Sequence, residues 1–331
     1  MGRTRRSDRN YFRYAAIAFS MIFLMSSVLF VAKLWEKTHD THKDSAFLED
    51  IVELDGKSYV LKNNIETFLI IGIDKEAGTT DDGGYENENM ADFLMLVVFD
   101  NEAKTCSALQ INRDTVVPVN KLGVAGNKIN TLDLQIAYAY NEGNGKEVSC
   151  HNTADSVSAL LMGMKVSHYL SLTMDAVPII NDKAGGVEVQ VLDDFAGIDD
   201  SLVKGTVVTL SGSQALTYVR ARKGMEDSTN LARMERQKQY VSALLEKVSA
   251  RVEEDENFLL ETVLELPENS MVSDRSNNQL QSYAEKFAEY EFSGVIRLEG
   301  KSEELDGAMA FYPDEDKLLE TIVNMFYRPM E

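Results

Sequence analysis

The sequence predicts an α/β chain of the α+β kind: a central mixed, largely antiparallel β-sheet flanked by helices, preceded by one N-terminal transmembrane helix. Three observations carry this. Short apolar runs at 68–74, 93–99 and 105–111 are bounded by polar residues, the pattern of buried strands. Beyond them, strand-like and helix-like stretches alternate, which implies a sheet covered by helices. Ahead of them, residues 14–32 (YAAIAFSMIFLMSSVLFVA) carry no charge and approach the roughly 20 residues that span a bilayer as a helix. With 331 residues, 44% of them hydrophobic, the chain is long enough to bury a sizeable core.

The N-terminal residues set the topology. Arg3, Arg5, Arg6, Arg9 and Arg13 stand against Asp8 in a chain whose formal net charge is −21. Basic residues before an apolar span place the N-terminus in the cytoplasm and the remainder outside. Trp35 sits where an interfacial aromatic belongs. A cleaved signal peptide is the rival reading, but no Ala-x-Ala follows the run, which favours an uncleaved signal anchor. The expected organisation is a cytoplasmic segment 1–13, a span 14–32, an extracytoplasmic stalk 33–64 with some local structure, and a domain 65–331. Within the domain, 65–252 reads as the core and 253–331 as a C-terminal part, with no Pro-, Gly- or Ser-rich linker between them. The protein is thus expected in the cell membrane, single-pass, its main domain extracytoplasmic. Acidity argues against general nucleic-acid binding. Cys106 and Cys150 are the two cysteines. Outside the membrane a disulfide between them is permitted, and two unrelated buried thiols are the alternative.

If the three strands at 68–74, 93–99 and 105–111 form an antiparallel meander, the end of the first, the start of the second and the end of the third share an edge. That edge carries Asp74, Asp92, Arg113 and Asp114. Two carboxylates with room for further oxygen ligands suit Mg²⁺ or Mn²⁺, with phosphate oxygens and water completing the shell. The alternative is that Asp74 and Asp92 cap strands and pair with Arg113. Downstream, 128–140 reads as a helix, and 153–162 as another with Thr153 and Ser156 as caps. A strand at 167–173, a helix at 174–183 ended by Gly185-Gly186, and a strand at 187–192 follow. Helices at 277–290 and 315–326 flank a strand at 294–298. His151 and His168 are isolated, and neither a Ser-His-Asp set nor Gly-x-Ser-x-Gly is evident.

The densest chemistry lies at 217–240 (TYVRARKGMEDSTNLARMERQKQY). Ser211 and Gln214 have the form of a capping box, predicting a helix over 212–219. Arg220 and Arg222 would share a face if Val-Arg-Ala-Arg is extended. Ser228 or Thr229 caps a second helix, with apolar residues at helical spacing from Leu231 to Val252. Its first turns carry Arg233, Arg236, Gln237 and Tyr240. Basic residues at a helix N-terminus oppose its dipole by a few tenths of a kcal/mol up to about 1. A phosphate site gains from them, because guanidinium forks add to free backbone N–H groups. Pairing with Glu226, Asp227 and Glu235 on a solvated surface is the alternative.

These stretches together resemble the LytR-CpsA-Psr family of bacterial envelope proteins. LIIGID with Asp74, ADFLMLVVF with Asp92, INRDT with Arg113 and Asp114, NKIN followed by AYAY with Lys128, DAVPIINDKAGGVEVQV, LSGSQALTYVRAR and LARMERQ occur in the family's order. The resemblance implies a Mg²⁺-assisted phosphotransferase that moves a glycopolymer, such as teichoic acid or capsular polysaccharide, from a polyprenyl-pyrophosphate carrier to peptidoglycan. It implies Asp74 and Asp92 as metal-linked acids. It also implies Arg113, Arg220, Arg222, Arg233 and Gln237, with Lys128, as pyrophosphate contacts. A non-catalytic glycan-binding or regulatory module, and a pyrophosphate hydrolase, are the alternatives. Three departures stand out: Met90-Ala91 replaces the Arg-Ser common before the second Asp, Thr229 to Ala232 replaces the usual Gly-Asp-Phe-Gly, and the loop between Asp74 and Asp92 is long.

Overall fold

The computed structural model describes residues 50–75, 89–123, 125–305 and 307–330. The span expected at 14–32 lies outside them, and among the described residues no helix is long and apolar enough to cross a membrane. The described chain opens on a hairpin, β1 (Ile51–Leu54) and β2 (Lys57–Leu61). Its two-residue turn is Asp55-Gly56, both at positive φ, as hairpins of this length require. The final strand, β15 (Tyr327–Pro329), returns to pair with β2. Residues 50–64, read from the sequence as a stalk with some local structure, contribute β1 and β2, and β2 pairs with the last strand.

The meander forms as expected. β3 (Ile65–Ile73), β4 (Ala91–Asp100) and β5 (Thr105–Ile111) pair antiparallel in sequence. Next come β6 (Val116–Leu122) and β7 (Lys128–Gln135), a separate antiparallel hairpin, then the short helix α1 (Tyr138–Asn141). The helix expected over 128–140 is corrected accordingly: β6 offers a full row of backbone partners to 128–135, and tertiary pairing overrides the local pattern. Helix α2 (Glu147–Leu160) begins earlier than 153. Thr153 and Ser156 are buried inside it instead of capping it, bonding the carbonyls of Ser149 and Pro118 at 2.8 and 3.2 Å.

After α2 the chain forms β8 (His168–Thr173), α3 (Ala176–Lys183), and the hairpin β9 (Val187–Gln190) and β10 (Val207–Leu210). Then follow α4 (Gly212–Arg220), α5 (Asn230–Glu254) and α6 (Phe258–Glu265). The C-terminal part comprises β11 (Met271–Ser273), α7 (Asn277–Glu289), β12 (Glu291–Arg297), the hairpin β13 (Gly300–Leu305) and β14 (Ala308–Pro313), and α8 (Glu315–Phe326). The main sheet has the order β11-β8-β3-β4-β5-β12. Both of its edges thus come from residues beyond 253. β8 joins β3, and β12 joins β5, in parallel; the other pairs are antiparallel.

Strand alternation sends two sets of side chains to opposite faces. Leu69, Ile71, Leu94, Leu96 and Leu109 pack against Cys150 and Val157 of α2 and Ile322, Val323 and Phe326 of α8. Phe68, Met95, Val97, Phe99 and Cys106 face Leu280, Tyr283 and Phe287 of α7 and Val241 of α5. Cys106 and Cys150 consequently lie in different cores on opposite faces, and both are buried free thiols, so the disulfide is ruled out. Burial pushes each thiol up to about 12. A third core gathers Val187, Phe195, Leu210, Ala215, Tyr218 and Tyr240 behind the arginine stretch.

Candidate active site

The site is built where β3, β4 and β5 end together. Gly72 pairs with Phe93 and Ile73 with Ala91, which leaves Asp92 as the extra residue of a β-bulge. A bulge bends the strand and re-aims a side chain out of the ladder. Gly72 permits it: a Cβ there would stand 2.9 Å from that of Phe93. Asp92 receives Arg113 Nη1 on one carboxylate oxygen and Arg233 Nη1 on the other, the latter at 3.3 Å. Arg113, just beyond β5, also approaches Asp114 at 3.6 Å through Nε and the Met90 thioether at 3.3 Å through Nη2. A weak sulfur acceptor therefore occupies the departure noted before Asp92.

Helix α4 starts on the predicted capping box and ends at Arg220, whose Nη2 meets Asp74 Oδ1 at 3.0 Å. Arg220 and Arg222 do not share a strand. The first closes a helix, the second follows the extended Ala221, and both still line one cleft. Thr229 caps α5 by accepting from Ala232 N at 3.2 Å. Arg233, 6% exposed, is aligned by Asn230, which accepts from its Nη2 at 2.7 Å. Asn230 in turn donates to Asn112 Oδ1 at 2.8 Å. Sequence reasoning missed this pair of asparagines; the only signal was that Asn230 falls within the departing tetrapeptide.

Arg236 does not join the cleft, although it was grouped with the other arginines in the sequence. It is completely buried, donating to Tyr218 O at 3.0 Å, to Ala221 O, and to Asp193 Oδ2 at 2.5 Å, with its guanidinium 5.5 Å from the Phe195 ring centre. Three residues farther along the helix than Arg233, it faces the third core. Gln237 is buried behind the cleft, donating to Val219 O at 3.1 Å and accepting from Gln110 at 3.4 Å. Lys128 heads β7, exposed on its hairpin, where its charge acts on Asp155; it does not border the cleft.

The cleft, of about 530 Å³, is bordered by Asp74, Asp92, Arg113, Arg220, Arg222, Lys223 and Arg233. Five cations against two carboxylates are concentrated here in a chain of net charge −21. Burial, with Arg222 and Arg233 nearby, lowers the basicity of the Arg113 guanidinium despite Asp114. Burial followed by Arg222 does the same to Arg233. Mutual repulsion of this kind is relieved when an anion enters. The Nε atoms of Arg113 and Arg233 are buried without a hydrogen-bond partner.

Beside the cleft, between one sheet face and helices α3, α4 and α5, lies an apolar cavity of about 230 Å³. Ile70, Phe93, Leu170, Val177, Leu216 and Leu245 form part of its wall. Asp92, Arg220 and Arg233 border both spaces. The charged residues were legible in the sequence, whereas this cavity was not, because its lining comes from six separate elements. No group of three or more His, Cys, Asp or Glu side chains placed to hold a metal occurs among the described residues.

The family model described as LytR_cpsA_psr matches residues 28–326. Among curated proteins, a polyisoprenyl-teichoic acid–peptidoglycan teichoic acid transferase, TagU, of Enterococcus faecalis is 30% identical over 238 residues, covering 70% of this chain and 71% of its own. TagU of Bacillus licheniformis is 24% identical over 250 residues, covering 73% and 72%. Among solved structures, TagT bound to LIIa-WTA superposes with a TM-score of 0.59 at 21% identity, covering 80% of this chain and 90% of that one. TagV of B. subtilis gives 0.59 at 21% identity, covering 80% and 97%. At these identities the superpositions establish the fold.

Proposed function

The chain belongs to the LytR_cpsA_psr family, and on that premise we propose that it is a phosphotransferase that moves a glycopolymer from a polyprenyl-pyrophosphate carrier to peptidoglycan. One observation carries the reading: the cationic cleft and the apolar cavity share Asp92, Arg220 and Arg233. A ligand with an anionic head and a long apolar tail matches that junction, and a polyprenyl pyrophosphate is such a ligand. Relatives named as teichoic acid transferases support the same class of reaction.

In this reading the isoprenoid enters the apolar cavity, and the pyrophosphate takes Arg113, Arg220, Arg222 and Arg233. Gln237 holds the Val219 carbonyl and so fixes the end of α4 that presents Arg220. Guanidinium forks neutralise charge on the non-bridging oxygens and align the phosphorus without any covalent enzyme intermediate. An acceptor hydroxyl forms a bond to the phosphorus that carries the glycan. The bridging P–O bond breaks, its electrons leave with polyprenyl phosphate, and the hydroxyl proton ends in solvent. The residues fit a divalent ion: Asp74 is 41% exposed at its side chain, and among the described residues the ion pairs of Asp92 are with arginines that the pyrophosphate would engage. Asp74 and Asp92 would hold Mg²⁺ or Mn²⁺, which would supply further charge neutralisation at the phosphates. The 14–32 span would keep the domain on the outer face of the membrane, beside a lipid-bound donor.

The test uses the full chain in liposomes with a synthetic polyprenyl-pyrophosphate glycan, with and without Mg²⁺ and peptidoglycan oligomers, beside Asp92→Ala. Expected are metal-dependent release of polyprenyl phosphate, glycan joined to the oligomer, and loss of both in the variant. Release with glycan only in water would make the protein a hydrolase. Tight donor binding without release would make it a binding module.

A further inference from the structure

A second cavity lies on the opposite face of the same strand ends. It has about 360 Å³ and is polar. Along β8, Leu170 and Leu172 line the apolar cavity and Ser171 lines this one, as alternation requires, while Thr173 at the strand's end borders both. Ile73 and Lys75 border it on either side of Asp74, which borders the cationic cleft. The three spaces therefore meet at the end of β3.

Two features mark it as built for a ligand. Thr173 and Ser270 are 8% and 1% exposed, and neither hydroxyl has a hydrogen-bond partner among the described residues. They stand together because Thr173 N donates to Ser270 O at 2.9 Å. Burying a hydroxyl unbonded is costly, so two on adjacent segments of a polar cavity wall call for an occupant with its own donors and acceptors. Lys75, Lys146 and Arg275 also line the cavity, against Glu147 as its one acid among the described residues. That balance favours an occupant bearing carboxylates.

We propose that this cavity is the acceptor subsite, taking a hydroxyl-rich glycan strand with carboxylate groups, as peptidoglycan provides. The proposal rests on the transferase reading above and identifies where its second substrate binds. Stereochemistry supports the placement. Displacement at phosphorus runs with attacking and leaving oxygens roughly in line. With the isoprenyl phosphate departing toward the apolar face, the attacking hydroxyl comes from the opposite face, the side on which Ser171 lines this cavity. Buried hydroxyls that bond a substrate hydroxyl also discriminate against acceptors that lack it.

The test measures binding of a soluble peptidoglycan oligosaccharide to the full chain by calorimetry, beside binding of polyprenyl pyrophosphate and thermal melting. Ser270→Ala should weaken the oligosaccharide about tenfold, leave the lipid pyrophosphate unchanged and keep the melting temperature, because only an unbonded hydroxyl outside the apolar cavity is removed. Lys146→Glu, an exposed charge reversal, should weaken the oligosaccharide by a smaller factor and checks the result without touching the core. Oligosaccharide binding that is absent in the parent, or unaltered in both variants, overturns the proposal. Weakened oligosaccharide binding without glycan transfer from any donor would uphold the subsite while removing the transferase reading.

Discussion

Arg233 and Arg236 sit one turn apart on the same helix, both buried, yet they belong to two regions built on opposite terms. In the block behind the cleft, Arg236 is saturated by two fixed backbone carbonyls, the Asp193 carboxylate and the Phe195 ring. In the cleft, Arg233 is held by side chains alone, Asp92 and Asn230, and its Nε is unbonded. The carbonyl partners of Arg236 cannot leave without undoing the end of α4 and the residue that follows it. Those of Arg233 can be exchanged for a ligand's oxygens. A buried arginine is therefore structural or functional according to whether its partners are replaceable, and burial alone does not decide.

The comparison breaks most visibly at Arg236. Arg236→Met would leave the Tyr218 and Ala221 carbonyls and Asp193 without their donor, and removing one member of a buried network of this kind costs about 3–5 kcal/mol. Urea denaturation should show that loss, and near-parent stability would dissolve the distinction drawn here. Arg233→Ala should do the reverse. Asp92 keeps Arg113, and repulsion among cations is relieved, so the urea midpoint should change little. Catalytic efficiency should fall by about 10²–10³, the usual penalty for removing one charge-stabilising donor at a reacting centre. A large stability loss with ordinary turnover would place Arg233 in the structural class.

What the sequence made legible follows the same division. The meander, the place of Asp92 at its edge and the α4 capping box depend on short local patterns, and all stand where the sequence placed them. The strand at 128–135 was misread because its decisive partner, β6, is found by pairing and not by local pattern. Arg236 was grouped with the cleft arginines because spacing along a helix says which residues share a face but not what that face meets. The apolar cavity and the orphan hydroxyls of Thr173 and Ser270 had no sequence signal at all. They arise where segments far apart in the chain converge, and an unbonded hydroxyl is a property of its surroundings.

The smallest expected effect sharpens the comparison away from the cleft, where α7 docks on β3. Glu66 meets Lys286 Nζ at 2.6 Å, the Tyr283 hydroxyl, and His168 Nε2 at 3.5 Å. Burial pushes this carboxyl up, but the Lys286 ammonium and the Tyr283 hydroxyl outweigh it and hold the group below its ordinary range near 4.5. A carboxyl lowered in the folded state adds stability above its unfolded pKa and loses it as pH falls through the folded one. Glu66→Gln should therefore cost less than about 1 kcal/mol at neutral pH, in keeping with a partly exposed pair, and the difference should vanish as pH falls through the lowered folded-state pKa. Because these partners are, like those of Arg236, the fold's own, the substitution should leave the pH profile of turnover unchanged. Paired urea titrations and rate profiles of the two proteins check this, and a shifted rate profile would show that the α7 contact reaches the cleft.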